Sequence, residues 1–143
     1  MKKIIFSIIS TILSILIFFS ANASNPYFVS GKKLYDNKNY TDSKFYFEKD
    51  IVFNPKSENS YLYLAKIFKE EENDDLEENN LNTVLLLNPK NEEAIYLLTL
   101  LSIKKSNFSK ANELIDTLTS VCIDFCKTKI ELQKKLDNSL KSE

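Results

Sequence analysis

Apolar and polar positions alternate along this chain in blocks that fit helices. The clearest stretch runs from Tyr61 to Pro89. It opens with Tyr61-Leu62-Tyr63-Leu64-Ala65-Lys66-Ile67-Phe68, an apolar helical run, and then breaks into charge. A second apolar run, Leu81 to Leu87, stops at Asn88-Pro89, and the same stop, Asn54-Pro55, stands 34 residues earlier. That distance is the period at which paired-helix solenoids repeat.

Set end to end at this period, residues 24–57, 58–91 and 92–123 align without a gap. Tyr27, Tyr61 and Ile95 form a column of large residues early in each first helix. Gly31, Ala65 and Thr99 form a column of small ones, where two helices approach. Phe47, Leu81 and Ile115 share a column in the second helix, and Pro55 and Pro89 end it, with Ile123 in the last copy. Other columns are broken. Leu34 and Phe68 meet Ser102, Tyr40 and Phe108 meet Asp74, and Ser43 and Ala111 meet Glu77. Apolar residues lie on more than one side of each helix pair, so a single pair cannot bury them and stacking is required.

Helix boundaries follow from local chemistry. Pro26 suits a first turn, and Asn-Pro disfavours helical geometry at the residue before the proline. Ser57 and Asn91 are expected N-caps, with Glu58, Glu92 and Glu93 in first turns that favour negative charge. The acidic run from Glu70 to Glu78 reads as a solvated turn, or as a contact for a basic partner. It lacks the spaced ligands and central glycine of a calcium loop. If Glu77 points between the helices, the middle pair is the weak joint. Asp124 to Leu140 reads as a final one-sided helix, through Phe125, Ile130, Leu132, Leu136 and Leu140, that covers the open end of the array.

The N-terminus reads as an address. Met1-Lys2-Lys3 is basic, Ile4 to Phe19 is largely apolar, and Ala21-Asn22-Ala23 is a small-x-small cleavage site. A signal peptide over residues 1–23 is expected, and with it an exported, periplasmic domain. The alternative is an uncleaved membrane anchor, although the run of about sixteen residues is short of the roughly 20 a span prefers. Only in that case would a membrane be a partner.

Composition narrows the chemistry. The 143 residues are 43% hydrophobic and 27% charged, with one glycine and three prolines, which fits helices joined by short polar loops. There is no histidine, so the usual general base and zinc ligand are missing; a catalytic centre, a metal site and a cofactor are not expected. All nineteen basic residues are lysine and the net charge is −1, which leaves no electrostatic footprint for nucleic acid.

The columns resemble those of the tetratricopeptide repeat (TPR) over nearly all of the chain beyond residue 23. The resemblance implies an all-α, right-handed α-solenoid of three helix-turn-helix repeats, 24–57, 58–91 and 92–123, closed by a capping helix and tail at 124–143. It also implies a non-catalytic adaptor or scaffold that binds a peptide or helix of another protein along the first helices. The implied groove carries Phe28, Lys32 and Tyr35, then Leu62, Lys66 and Lys69, then Tyr96, Leu100, Ile103 and Lys104. Chemically that is an apolar floor with lysines beside it, suited to an apolar peptide with some negative charge. The competing reading buries Leu100 and Ile103 under the capping helix. Phe28 and Lys32 replace two places of the family's carboxylate clamp, so that activity is not implied. The only thiols, Cys122 and Cys126, stand where array meets cap. A structural disulfide is expected there if a turn falls between them; two buried thiols, or a redox or metal role, are the alternatives. This ending also resembles small exported TPR proteins of alphaproteobacteria, in which proline often follows the first cysteine and glycine precedes the second; here those places hold Ile123 and Phe125.

Overall fold

The computed structural model describes residues 26–141, so the expected signal peptide and its cleavage site lie outside the described residues. The described chain is seven helices: α1 (Pro26–Asp36), α2 (Tyr40–Phe53), α3 (Glu58–Glu70), α4 (Asp74–Leu87), α5 (Glu92–Lys104), α6 (Phe108–Val121) and α7 (Thr128–Lys141). Each of the first six packs against the next, and α7 lies across α5 and α6. No strand occurs among the described residues, and none of their helices is long and apolar enough to cross a membrane.

One turn, used three times, makes the hairpins. Asn39, Asn73 and Asn107 stand 34 residues apart, and each side chain accepts a hydrogen bond from a backbone N–H three residues on, capping α2, α4 and α6. The same asparagines donate their own N–H back to Leu34, Phe68 and Ser102 (3.0, 2.9 and 2.8 Å), which closes the preceding helix. The residue between is left-handed each time: Lys38 (φ 60°), Glu72 (φ 54°) and Ser106 (φ 54°). Asn54 and Asn88 close α2 and α4 before their prolines.

Stacking uses two faces of each inner first helix. Leu64, Ile67 and Phe68 of α3 join Phe47 in a core with repeat one, while Leu62 and Ala65 of the same helix join the larger core of repeats two and three. Burying a side chain such as Ile67 stabilises by about 2 kcal/mol. The columns of Leu64 and Ile67 continue as Leu98 and Leu101 in α5, all buried, but hold Ser30 and Lys33 in α1. At these two places α1 is polar where the later first helices are apolar. The small column is buried throughout, and Ser43 donates to the Gly31 carbonyl at 2.8 Å where α1 and α2 meet.

Three expectations need correction. Asn91 caps α5, but Ser57 makes no capping bond to α3. Its hydroxyl donates to Ser60 (3.0 Å), and Ser60 donates to the buried carboxylate of Asp50 on α2, so this serine is spent on the joint between repeats. The last helix starts at Thr128, not near Asp124. Both oxygens of Glu92 collect the backbone N–H groups of Ile123 (2.7 Å), Asp124 (3.0 Å) and Phe125 (2.8 Å), holding them as a turn ahead of the helix. Only Leu132 and Leu136 of α7 are fully buried; Ile130 is 78% exposed, because it falls on the outer side of the helix.

Candidate binding groove

An aromatic cluster joins the first helices of repeats one and two, and its centre is Tyr63. The Tyr63 ring stacks on Phe47 (5.1 Å) and meets Phe28 (5.8 Å) and Tyr35 (5.0 Å) edge-on. Lys66 lies over it at 4.7 Å and Lys32 at 6.0 Å. Tyr35 also touches Tyr40, and burial pushes its hydroxyl up to about 12. Phe28, Tyr35 and Tyr63 are half-buried, so each is held by packing and still shows a face to solvent. Rings fixed in this way give contact area at little entropic cost.

The other expected groove residues divide. Leu62 is only 5% exposed and belongs to the core, so a partner finds almost nothing of it. Tyr96 is half-buried against Phe125 of the closing turn, at 5.7 Å. Leu100 and Ile103 are half-buried at the margin of the larger core. Lys69, Leu100 and Lys104 line one cavity of about 220 Å³ together with Glu72, Glu77 and Leu101. The structure thus yields an aromatic half and a slotted half, bridged by the Lys66–Glu93 ion pair (2.6 Å) from α3 to α5. Tyr63 escapes a reading by columns, because Val29 and Leu97 are its counterparts and neither is aromatic.

Three of the four lysines expected along the groove are already paired, and Lys69 is the exception. Lys32 pairs with Asp36 (2.8 Å), Lys66 with Glu93 and Lys104 with Asp74 (2.6 Å). The acidic run is not a freely solvated turn. Glu71 pairs with Lys44 (2.7 Å), and Asp75 and Glu78 pair with Lys105 (3.3 and 2.7 Å). Glu78 also holds Lys110 (2.7 Å), and these two lysines keep its carboxyl below the usual range. The Lys44–Glu71 pair recurs one repeat later as Glu78–Lys105 with the signs exchanged. Glu77 alone turns inward: it is 4% exposed, and burial raises its carboxyl against the pull of Lys69.

Cys122 and Cys126 are joined by a disulfide across the closing turn, with Cα atoms 5.2 Å apart. Cys122 occupies the place of Asn54 and Asn88 as the residue after a second helix. No cluster among the described residues could hold a metal ion.

No family model matches the sequence. No curated protein matches it either. Solved structures do. The type III secretion chaperone SycD of Yersinia enterocolitica, in complex with a peptide of the translocator YopD, superposes with a TM-score of 0.73 at 14% identity, covering 87% of this chain and 98% of that one. A second SycD structure covers 91% and 92% at 12% identity, with the same TM-score. The TPR domain of Sgt2 from Aspergillus fumigatus gives 0.69 at 13% identity, covering 85% and 83%. At such identities it is the backbone that matches, and the fold of this chain is that of the tetratricopeptide repeat.

Proposed function

We propose that this protein is a non-catalytic interaction module of the bacterial cell envelope that holds a peptide or helix of another protein along its first helices. The observation that carries the reading is the ring cluster around Tyr63, half-open on α1 and α3 and continued by Leu100 and Ile103 on α5. Peptide binding by a neighbour of the same fold, SycD with its YopD peptide, supports it. The absence of histidine and the lone glycine argue against an enzyme, since neither an activated nucleophile nor a phosphate loop is available. Export rests on the sequence of residues 1–23, with Ser24 as the mature start.

The test is cross-linking and pull-down from the native envelope, repeated with Tyr35→Ala plus Tyr96→Ala. Both rings sit partly open, so the variant should keep its helicity. Loss of a true aromatic anchor costs about 2 kcal/mol, roughly thirtyfold in affinity. Undiminished recovery of the same partner by the folded variant would remove the groove from consideration.

A second reading, a membrane-anchored assembly factor with its N-terminal segment retained, draws on a different feature. Tyr27 stacks on Phe53 at 5.3 Å, and Phe53 and Val52 are 65% and 72% exposed, at the end of the α1–α2 pair where the chain enters α1. Intact mass of the native protein separates the readings: a species starting at Ser24 supports export, and a full-length species in the membrane fraction supports the anchor.

A further inference from the structure

The outer face of α2 carries apolar residues that the stack does not use. Phe45, Val52 and Phe53 are 59%, 72% and 65% exposed. With Glu48 and Lys49 they line a hollow of about 420 Å³. Their spacing sets them on one stripe of the helix, opposite the buried Ser43, Phe47 and Asp50. The array does not require this stripe. The places of Phe45 and Val52 hold Asn79 and Leu86 on α4, and Glu113 and Ser120 on α6. Repeats two and three therefore stack without an apolar pair at these places. Exposed apolar side chains gathered on one short helix mark a contact.

The charges in the stripe select what makes that contact. Glu48 is exposed and has no hydrogen-bond or ion-pair partner among the described residues. Lys49 is in no ion pair there either; its ammonium lies over the rings of Tyr27 (4.5 Å) and Phe45 (5.9 Å). The stripe also reads the same in both directions. Phe45 stands three residues before Glu48, and Val52 three residues after Lys49. Two copies of α2 laid antiparallel, with a two-fold axis between Glu48 and Lys49, bring each Glu48 onto the other copy's Lys49 and each Phe45 onto the other copy's Val52. An isologous contact needs a surface complementary to itself, and every match then occurs twice. A partner of one charge sign would leave Glu48 or Lys49 unmatched, and a membrane surface would draw the Glu48 carboxylate toward lipid without a partner. We infer that the outer face of α2 is the interface of a homodimer, with a second copy of this chain as its occupant. The face belongs to a second helix, whereas the groove runs along first helices, so the two readings stand or fall separately. One helix face is small for an interface, and the dimer should dissociate at concentrations on the order of micromolar.

The test is sedimentation equilibrium of the protein purified from its native envelope, across the micromolar range. A monomer–dimer equilibrium is expected. Phe45→Ala should weaken it about thirtyfold or more, the loss of an aromatic anchor from both copies, with circular dichroism unchanged because the ring is exposed in the monomer. Glu48→Lys and Lys49→Glu should each weaken it about tenfold or more, because like charges then face one another across the axis. The double exchange, Glu48→Lys with Lys49→Glu, should bring the dimer back to within a few-fold of the unaltered protein, since each charge again meets its opposite. A merely local loss of packing would show no such rescue. A monomer at every concentration, a dimer that survives Phe45→Ala, or a double exchange no better than the single ones would each overturn the inference. Self-association through residues 1–23 would be indifferent to all four variants and overturns it in the same way. A monomer that binds vesicles of phosphatidylethanolamine and phosphatidylglycerol, and loses that binding in Phe45→Ala, would make the face a membrane contact and overturn it as well.

Discussion

Gly31 lies beneath the Phe47 ring, and a Cβ added there would come within 2.9 Å of two ring atoms. Phe47 is fully buried and boxed by Phe28 and Tyr63, so it has little room to retreat. Gly31→Ala gains about 1 kcal/mol of helix propensity but overpacks at about 1–3 kcal/mol. Urea unfolding should therefore show a net loss of about 1 kcal/mol, against the usual gain for this change in a helix. The left-handed turn residues predict the opposite sign. Ser106 holds φ 54° with a side chain, a conformation that costs about 1 kcal/mol and that glycine adopts freely. Ser106→Gly should raise stability by about 0.5–1 kcal/mol in the same measurement.

At the scale of elements, a glutamate at the start of a first helix reaches the connector that ends its own repeat. The Glu58 carboxylate accepts from the side-chain amides of Asn88 (3.0 Å) and Asn91, and Glu92 accepts from three backbone N–H groups of the closing turn. Those bonds, chiefly the one from Phe125, hold the Glu92 carboxyl below its ordinary range. A lowered acid stabilises the fold above the unfolded carboxylate pKa, and the contribution is lost as pH falls through the folded value. Amide exchange at Ile123, Asp124 and Phe125 should accelerate, beyond its intrinsic pH dependence, as Glu92 protonates. It should do so already at neutral pH in Glu92→Gln. The disulfide closes the same turn over so short a loop that it contributes roughly 2 kcal/mol at most. Cys122→Ser with Cys126→Ser should loosen α7 and leave α1 to α5 protected.

The whole molecule is a row of helix pairs whose middle joint carries a buried acid. For Glu77 the shift is upward, so the folded chain binds the proton more tightly than the unfolded one. Stability is then lost as pH rises from the ordinary carboxylate range through the folded value. Glu77→Gln should raise the melting temperature at neutral pH, and the difference should vanish once the medium is acid enough to protonate both states. Cross-repeat ion pairs line the hairpin turns, from Lys44–Glu71 to Glu78–Lys110, and exposed pairs of this kind contribute a few tenths of a kcal/mol each. They set the register of one turn against the next more than they hold the array together.

The helix pairs, their period and the place of the cap were legible in the sequence, because helical spacing, Asn-Pro stops and small-residue columns are local and repeat every 34 residues. The asparagine column at 39, 73 and 107 is the most regular of these signals, and a reading centred on apolar positions passed over it. The groove was decided by tertiary structure. Each residue along a helix turns the side chain by about 100°, so a one-position step separates the buried Leu62 from the half-open Tyr63. Columns taken from the chain alone do not resolve that step. The partner of Lys32 is Asp36, one turn on in the same helix, but those of Lys66 and Lys104 came from acids that the packing brought near, Glu93 and Asp74 on neighbouring helices. Sequence spacing determines which residues share a face of one helix, while the charge and openness of a surface between helices depend on how the helices pack.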